Sequence, residues 1–540
     1  MTPAEARLRP LTLLLLLLIV AGGAYLRYLR VGLDAVSLDE MWHLVLSTGR
    51  GSPQMTWPGN EVIHVDRSFS NLPGAPAWWA VWTNMDRVLH PPLFVMTLRW
   101  WRAAFGDGDV AAQWYVAAWS LVIVGMTFDI ARTLSRGRVA PAMWAAAIVA
   151  VSPTQILLSQ ELRAYAMLTG LACCAIAAAA RIDVRGYSHS RAAALGACAL
   201  AMMLTHYFAL GVCAAIGLWA ILRLRGRALV GAGVSLAVAA GVFLAAWGPF
   251  MIRQIPDIAH TADPWLKDPS PNAFWWSLGR FFAMPIRLLV DRDYPSLAWP
   301  ALGAAAMLLA VARLRAGRRE LLLPVLWFAC ACGFLLALDW ARTTRHLVYI
   351  RYSLPAAPAV AVVAVLACAR RRSGQAPPDA AGSASNGPPG FSPVVHVVGA
   401  GLVGLLLWQN RAANFADEPD YRVLRRFMLD RAAAAEPMLF FSGPQVKGYF
   451  NEILMLAASR EPALFPRDMV KLMRPADAAL VAALPGPTAW LFSGPVESVS
   501  AILPGVTVLE QRLLTDADDR PVAVCTHVRL PDHPTPAGAP

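Results

Sequence analysis

Residues 313–338 read RLRAGRRELLLPVLWFACACGFLLAL, a short basic run followed by eighteen residues that carry no charge. A helix needs about 20 mostly apolar residues to cross the roughly 30 Å hydrocarbon core of a bilayer. Arginine and lysine next to such a helix are typical of its cytoplasmic end. This stretch therefore predicts a transmembrane helix that starts on the cytoplasmic side.

The same pattern repeats along most of the chain and predicts a polytopic α-helical membrane protein with about eleven transmembrane helices. The composition agrees, because 57% of the residues are hydrophobic, only 15% are charged and the mean hydropathy is +0.48. Residues 192–222 can form one long helix or two short ones, and two keep the basic residues at both ends on one side. We place the helices near residues 11–28, 110–131, 138–158, 163–180, 192–206, 207–222, 228–252, 297–313, 321–338, 353–370 and 393–409.

Five basic runs fix the orientation of these helices. With the amino terminus inside, every one of the runs lies on the cytoplasmic side, as the positive-inside rule requires. The apolar stretch 91–106 is too short to cross and contains Arg99 and Arg102, so we interpret it as an amphipathic helix on the outer surface. The basic runs are residues 132–138, 181–191, 223–227, 313–320 and 370–372.

Four further segments complete the predicted domain organisation around a transmembrane domain of residues 1–410. Residues 29–109 and 253–296 form large external loops in this orientation. Residues 373–392 are rich in Pro, Gly, Ser and Ala and predict a flexible cytoplasmic linker. Residues 412–540 have a soluble composition with strand-like and helix-like stretches, and predict a small α/β domain on the periplasmic side.

The net charge of +12 does not indicate nucleic-acid binding. The basic residues lie in short runs between apolar segments, where they face anionic lipid, and no RNA- or DNA-binding motif is present. Seven of the eight cysteines lie in apolar runs, where cysteine behaves as a small hydrophobic residue. No cysteine and histidine spacing indicates a zinc site or a disulfide framework.

Polar motifs concentrate on the outer side of the predicted membrane domain. They come from five separate parts of the chain, and their meeting at one membrane face is what an active site requires. The motifs are SLDEMWHL (37–44), HPPL (90–93), SQELRAY (159–165), THYF (205–208) and RHLVYIRY (345–352).

Charged residues in these motifs suggest a bound anion. Arg342, Arg345 and Arg351 lie in a short external loop, contrary to the charge rule that organises the rest of the chain. Arginine binds phosphate bidentately and stays charged, so these residues suit a phosphate group. The alternative is that they bind lipid headgroups or pair with Asp339.

Acidic residues and histidines in the same motifs are further candidates for active-site residues. Asp39 and Glu40 are adjacent and lie close to the membrane boundary, although they could simply start a helix there. His90 precedes two prolines and could likewise only begin a surface helix. His206 and Tyr207 occupy the turn between two short spans, where unsatisfied polar groups are costly. Carboxylates with arginine and histidine at a lipid boundary suit the transfer of a group from a lipid phosphate to a hydroxyl.

The five motifs, in this order, resemble those of the GT-C glycosyltransferases. They are most similar to the bacterial dolichyl-phosphate-mannose-transferase-like group, with the Rgt-type lipopolysaccharide core enzymes and the aminoarabinose transferase as relatives. The resemblance covers about residues 10–410. It implies a polyprenyl-phosphate-linked sugar donor, a glycolipid, polysaccharide or protein acceptor, and inverting transfer on the periplasmic side of the inner membrane. It also allows a divalent metal ion.

The resemblance extends to individual residues. Asp39 matches the catalytic base or acceptor-orienting acid, Glu40 is its companion, and Glu161 falls near the second acidic position. SQELRAY has Ala164 where the common pattern has proline. The positions expected to line the donor phosphate and sugar pocket are Arg163, Tyr165, His206, Arg351 and Tyr352, to which His90, Tyr207 and Arg345 are added as members of the same motifs.

Three other functions remain open at this point. A lipid-linked glycan flippase or transporter favours ionisable residues near the membrane midplane and repeat symmetry, whereas the charges here lie at helix ends. A ligase or polymerase would move a whole glycan from a lipid pyrophosphate. A non-catalytic scaffold would not need the five motifs to meet.

Overall fold

The computed structural model is mostly helical and carries one six-stranded sheet. Two compact units can be distinguished. The helical unit comprises Met1–Val31, Val88–Phe94 and Gln113–Asn414, and the sheet unit comprises Gly32–Arg87, Val95–Ala112 and Phe415–Pro540. The structure describes residues 9–33, 36–52, 57–85, 90–257, 266–290, 298–369, 393–410, 421–431, 436–441, 450–458, 460–494, 498–516 and 519–531.

The helices follow the apolar runs of the sequence. In chain order they are α1 (Pro10–Tyr28), α2 (Leu38–Ser47), α3 (Ala80–Thr83), α4 (Leu93–Phe105), α5 (Asp109–Leu134), α6 (Val139–Val151), α7 (Pro153–Leu157), α8 (Tyr165–Arg185), α9 (His189–Thr205), α10 (Ala209–Arg223), α11 (Gly226–Asp257), α12 (Ala273–Val290), α13 (Ala298–Arg315), α14 (Leu322–Arg342), α15 (Ile350–Ser353), α16 (Ala357–Cys368), α17 (Pro393–Asn410), α18 (Arg422–Arg431), α19 (Phe450–Ala458), α20 (Ala478–Ala483) and α21 (Val499–Ile502).

The predicted polytopic helical fold is confirmed. Within the described ranges, eight helices are long and apolar enough to cross a membrane, while α6 and α10 are shorter apolar helices. Residues 192–222 form two helices, α9 and α10, separated by the turn at His206. The linker at 373–392 lies outside the described residues.

The predicted span at 138–158 is broken into α6 and α7 at Ser152. Pro153 cannot continue a helix, because it lacks an N–H and restricts the residue before it. Ser152 Oγ instead donates to the backbone oxygen of Leu289 at 2.8 Å and accepts from the Gln155 N–H at 3.4 Å. The break brings the chain to the turn that carries Glu161 and Arg163.

The predicted loop at 253–296 contains the helix α12. Its carboxyl-terminal half is buried around Met284 and Leu288, whereas Phe274, Trp275 and Trp276 in its first turn are exposed. The sequence pattern did not indicate this helix, because charged residues and a proline interrupt its apolar run.

The six strands are β1 (Val62–Val65), β2 (Met438–Phe441), β3 (Arg467–Leu472), β4 (Thr488–Ser493), β5 (Thr507–Thr515) and β6 (Pro521–Arg529), in the spatial order β1-β3-β2-β4-β6-β5. The strand β2 is parallel to both β3 and β4, and the other pairs are antiparallel.

One strand of this sheet comes from far upstream. Val62 of β1 is opposite Val470 of β3, so the first predicted external loop contributes to the same sheet as the carboxyl-terminal residues. The predicted boundary at residue 412 therefore covers only part of the sheet unit.

The core of the sheet unit lies against one face of the central strands. Leu439, Val470 and Leu491 on neighbouring strands are fully buried there, and Leu480 and Ile502 on the short helices α20 and α21 belong to the same cluster. Burying one such side chain contributes about 1.5–3 kcal/mol.

Glu436, just before β2, ties three strands together. Its carboxylate accepts hydrogen bonds from Thr488 Oγ1 at 2.6 Å, Trp490 Nε1 at 2.9 Å and His527 Nε2 at 2.8 Å. Burial alone would raise the pKa of Glu436, but the hydrogen bonds outweigh burial and lower it. A carboxyl group whose pKa is lowered by folding stabilises the fold above the pKa of the unfolded chain, and this contribution is lost as the pH falls further.

We expect Glu436→Gln to weaken the sheet unit by about 1.5–3 kcal/mol at pH 7, the usual value of hydrogen bonds to a charged group. The unchanged protein should lose stability below about pH 4.3, and the variant should lose less stability over the same pH range. Hydrogen exchange of the β2 and β4 amides at pH 7 and pH 4 measures both effects. Glu510→Gln, which removes an exposed partner of Arg431, is the control. If the Glu436→Gln variant loses as much stability between pH 7 and pH 4 as the unchanged protein, the Glu436 carboxylate is not the source of the acid sensitivity.

Candidate active site

Four of the five polar motifs meet in the helical unit, around the ring of His206. The ring centroid of His206 lies 4.9 Å from that of His90 and 5.3 Å from that of Tyr165. Tyr352 joins them, with its ring 5.7 Å from Tyr165. Phe208 closes the group at 4.5 Å from His206 and 5.1 Å from Tyr352. The aromatic cluster, defined by these five residues, brings together segments that are more than 250 positions apart in the sequence.

The turn between α9 and α10 sets the position of His206. The backbone of His206 is extended, with φ −162° and ψ 142°, and its side chain is buried. Its Nδ1 accepts a hydrogen bond from the Phe208 N–H at 3.2 Å. A neutral ring that accepts at Nδ1 carries its proton on Nε2. His206 can therefore act as a hydrogen-bond donor through Nε2.

The side chain of Tyr207 contacts helix α11 and not the aromatic cluster around His206. Its hydroxyl donates to Gln254 Oε1 at 2.5 Å and accepts from Trp247 Nε1 at 3.1 Å, both on α11. Side chains of neighbouring residues point to opposite sides of an extended backbone. The structure thus places Tyr207 outside the aromatic cluster, in a contact that joins the turn between α9 and α10 to α11.

Charged groups surround the aromatic cluster. Arg351 Nη1 lies 3.9 Å from Glu161 Oε2, and both side chains are partly exposed. The guanidinium of Arg351 is also 5.7 Å from the Tyr352 ring, and that of Arg163 is 5.8 Å from the Tyr165 ring. Two guanidinium groups and one carboxylate thus lie around the aromatic cluster, and this excess of positive charge suits an anionic ligand.

Asp339 organises the turn that leads to Arg351. Its buried carboxylate accepts from Thr344 Oγ1 at 3.0 Å, from the His346 N–H at 2.6 Å and from the Leu347 N–H at 3.1 Å. His346 Nδ1 lies 2.8 Å from the same carboxylate. In the described part of the chain no arginine is paired with Asp339. The sequence alternative in which Asp339 neutralises the external arginines is therefore not favoured.

Arg287 of α12 holds the same turn from its other side. Its guanidinium donates to the backbone oxygens of Leu347 and Val348, each at 3.0 Å, and its side chain is buried. The Arg287 backbone oxygen in turn accepts from Thr154 Oγ1 at 3.0 Å. Asp339 and Arg287 together fix the turn from which Arg351 and Tyr352 extend.

Arg345 begins this turn and is tied to a further segment. Its N–H donates to the Leu266 oxygen at 3.0 Å, and Lys267 pairs with Thr344 as an isolated antiparallel bridge. The neighbouring His346 lies 5.9 Å from the Tyr352 ring. The backbone hydrogen bond of Arg345 thus holds the segment in which the next residue, His346, lies beside the aromatic cluster.

We expect Arg287→Met to displace the turn that carries Arg351 and Tyr352, and to slow a reaction at the aromatic cluster by about ten- to a hundredfold, because small displacements of positioning groups have effects of this size. Initial rates at varied substrate concentration, together with the melting temperature of the purified protein, measure the effect. Arg287→Lys should recover part of the rate by keeping one of the two hydrogen bonds. Arg280→Met on the same helix is the control. If the two methionine variants lose activity equally, Arg287 has no special role in positioning.

The two adjacent acids Asp39 and Glu40 lie at the start of α2, in the sheet unit. Glu40 is buried, and its Oε2 accepts the Ser37 N–H at 2.7 Å, which is one half of a capping box. Asp39 is partly exposed, and its backbone oxygen lies 2.7 Å from His43 Nδ1. The geometry favours a structural role for Glu40 and leaves Asp39 as the accessible carboxylate of the pair.

A metal site would need several acidic, histidine or cysteine side chains in one place. Within the ranges that the structure describes, no three of them lie close enough together to hold a metal ion.

Two solved structures share the architecture of this chain. ArnT from Cupriavidus metallidurans in the apo state superimposes with a TM-score of 0.57 over 95% of this chain and 97% of that chain, at 14% sequence identity. ArnT from the same organism bound to undecaprenyl phosphate gives a TM-score of 0.53 at the same identity and coverage. The chain has a GT-C fold.

The GT-C fold agrees with the resemblance found in the five motifs. No family model matches the sequence, and the comparison with curated proteins finds no relative. At 14% identity the similarity establishes the GT-C fold alone. Chemistry must therefore be argued from the residues of this chain.

Proposed function

We propose that this protein is a membrane glycosyltransferase that moves a sugar from a polyprenyl-phosphate donor to a hydroxyl acceptor. The observation that carries the proposal is the aromatic cluster with Arg163, Arg351 and Glu161 around it. These residues combine a surface for a sugar ring with cations for a phosphate. The GT-C fold, which this chain shares with an ArnT structure bound to undecaprenyl phosphate, supports a lipid phosphate as the donor group.

Arg351 and Arg163 bind the phosphate in this proposal. An arginine can give two parallel hydrogen bonds to a phosphate and keeps its charge at every relevant pH. When the sugar leaves, negative charge develops on the polyprenyl phosphate, and a preorganised cation stabilises that charge. Glu161, close to Arg351, keeps the guanidinium oriented before the donor binds.

Asp39 activates the acceptor. Its carboxylate takes the proton of the acceptor hydroxyl, whose oxygen forms a bond to the anomeric carbon while the bond from that carbon to the phosphate oxygen breaks. Attack from the side opposite the leaving phosphate inverts the anomeric configuration. Glycolipids, polysaccharides and proteins are the acceptor classes that this reaction allows.

We place the reaction on the periplasmic side of the inner membrane, a proposal that the predicted orientation of the helices supports. The predicted cytoplasmic runs are basic, and the motifs of the aromatic cluster lie at the opposite ends of the same helices. A polyprenyl-phosphate sugar is available on that side without a nucleotide.

The test is a transfer assay with purified full-length protein in proteoliposomes that contain radiolabelled polyprenyl-phosphate sugars, each offered with a lipid or glycan acceptor. Transfer of the label to the acceptor, with release of polyprenyl phosphate, supports the proposal. Movement of an unchanged donor across the bilayer would instead indicate a flippase, and transfer of a whole glycan from a pyrophosphate would indicate a ligase. Because the GT-C resemblance allows a divalent metal ion, the assay is run with and without a chelator.

A further inference from the structure

The sheet unit carries an exposed aromatic surface that has no part in the proposed reaction. Trp78, Trp79 and Trp100 are 43%, 60% and 48% exposed, although large aromatic side chains are usually buried. Their rings contact one another edge to face, with centroids 5.9 Å apart for Trp78 and Trp79 and 5.4 Å apart for Trp78 and Trp100. We call these three residues the tryptophan surface.

The chain segment that carries Trp78 and Trp79 is uncharged, and the charged side chains that border it include arginines: Arg67 lies against Gly74, and Arg99 donates to the Pro76 oxygen. No acidic or basic residue occurs between 68 and 85, and the exposed residues of α4 beyond Trp100 are two alanines and a phenylalanine. A protein surface in water is rich in charged side chains. The exposed uncharged neighbours are Pro73, Gly74, Pro76, Ala77, Ala103, Ala104 and Phe105.

The charged residues of α4, Arg99 and Arg102, are tied to backbone oxygens of neighbouring segments. Arg102 is 1% exposed, forms an ion pair with Asp107, and donates to the backbone oxygens of Leu44 at 2.8 Å and Ser70 at 2.7 Å. Arg99 donates to the backbone oxygens of Thr48 and Pro76. A helix at a water-facing surface has the opposite pattern, with apolar residues inside and charged residues outside.

We propose that the tryptophan surface lies in the headgroup region of the outer leaflet and anchors the sheet unit to the bilayer. Tryptophan concentrates at this depth, because its ring is apolar while its N–H reaches a polar partner. An interfacial helix inserts its apolar face about 5–10 Å into the boundary between headgroups and acyl chains. The arrangement of α4 meets this requirement, because Arg102 is buried against Asp107 and backbone oxygens while the aromatic rings face outward. The arginines at the border of the surface suit the anionic phosphates of lipid headgroups.

The test uses the full-length protein in nanodiscs and a phospholipid with a photoactivatable diazirine in the upper part of its acyl chain. Trypsin cleavage after Arg67 and Arg87 releases peptide 68–87, which contains Trp78 and Trp79. Peptide 472–512, which contains the exposed Leu509, serves as the reference from the same unit. We expect the lipid to label peptide 68–87 several-fold more than the reference. A water-soluble diazirine should give the reverse order.

Variants at Trp79 distinguish insertion of the tryptophan surface into the lipid from accidental contact of the peptide with the lipid reagent. Trp79→Glu should greatly reduce lipid labelling of peptide 68–87, whereas Trp79→Phe should retain it, and Leu509→Glu should leave it unchanged. Labelling of the transmembrane peptides shows whether each variant is folded. Two results would overturn the proposal. One is labelling of peptide 68–87 by the water-soluble reagent as strongly as the reference. The other is labelling by neither reagent, which would show that protein covers the surface.

Discussion

Replacement of Asp39 by asparagine is expected to lower the rate of sugar transfer by about 10²–10⁴-fold, the usual contribution of a general base. Asparagine preserves the size of the side chain but cannot accept the acceptor proton. Asp39 is only partly buried, so the substitution should change the melting temperature very little. Single-turnover transfer from a radiolabelled polyprenyl-phosphate sugar measures the chemical step directly.

Two controls distinguish a base from a helix cap. Glu61→Gln removes an exposed carboxylate from the same unit and should have no effect on transfer. Glu40→Gln keeps an oxygen that can accept the Ser37 N–H, so it should reduce stability slightly and activity far less than Asp39→Asn. Undiminished transfer by correctly inserted Asp39→Asn protein would remove Asp39 from this role. A loss in Glu40→Gln as large as that in Asp39→Asn would assign catalysis to the pair.

Replacement of Arg351 by glutamine should reduce transfer by about 10²–10³-fold, the usual cost of losing one group that stabilises developing charge. Arg351→Lys should recover only part of this loss, because an ammonium group cannot bind a phosphate bidentately. The effect should fall mainly on kcat when the donor is saturating. Donor binding, measured with undecaprenyl phosphate, should also weaken.

The matched control for Arg351 is Arg253→Gln. Arg253 also lies against an aromatic ring, that of Phe250 at 5.6 Å, but it belongs to α11 and is exposed. The ion pair of Arg351 with Glu161 is long and partly exposed, so its loss should cost no more than about 1 kcal/mol of stability. If Arg351→Gln lowers the melting temperature strongly and Glu161→Gln restores it in the double variant, Arg351 is structural and the phosphate-binding assignment fails.

The transmembrane helices could be predicted because a long apolar run between basic loops is stable in a bilayer and costly to expose to water. Elements that combine apolar and charged residues could not be predicted in this way. The apolar pattern of α12 is interrupted by Arg280, Pro285 and Arg287, so the sequence did not predict this helix. In the structure, Arg287 is accommodated by hydrogen bonds to backbone oxygens. In β3, Arg467 and Lys471 are buried, contrary to what their charge suggests.

Part of the candidate site could be predicted, because its residues have side chains that suit a sugar-phosphate site and occur in motifs whose order along the chain resembles that of the GT-C enzymes. His90, Tyr165, His206 and Tyr352 were singled out from their motifs and lie within contact distance around His206. Tyr207 belongs to the same motif and the same turn, but its hydroxyl contacts Gln254 and Trp247 of α11 instead of the cluster.

The residues that hold the site together could not be predicted. Asp339 and Arg287 act through the amides and carbonyls of one turn, and such contacts leave no spacing pattern in the sequence. Phe208 belongs to the aromatic cluster, but a phenylalanine next to an apolar span is typical of an ordinary lipid-facing position.

The pairing of β1 with β3 has a consequence for biosynthesis. Val62 and Val470 are 408 residues apart, so at about 5–20 residues per second the ribosome needs about 20–80 s to supply the partner of the first strand. Nascent β1 must remain unpaired during this interval, while the intervening helices enter the membrane. A premature stop shortly before residue 467 would therefore leave β1 with an open edge, the kind of surface that pairs with other chains and aggregates.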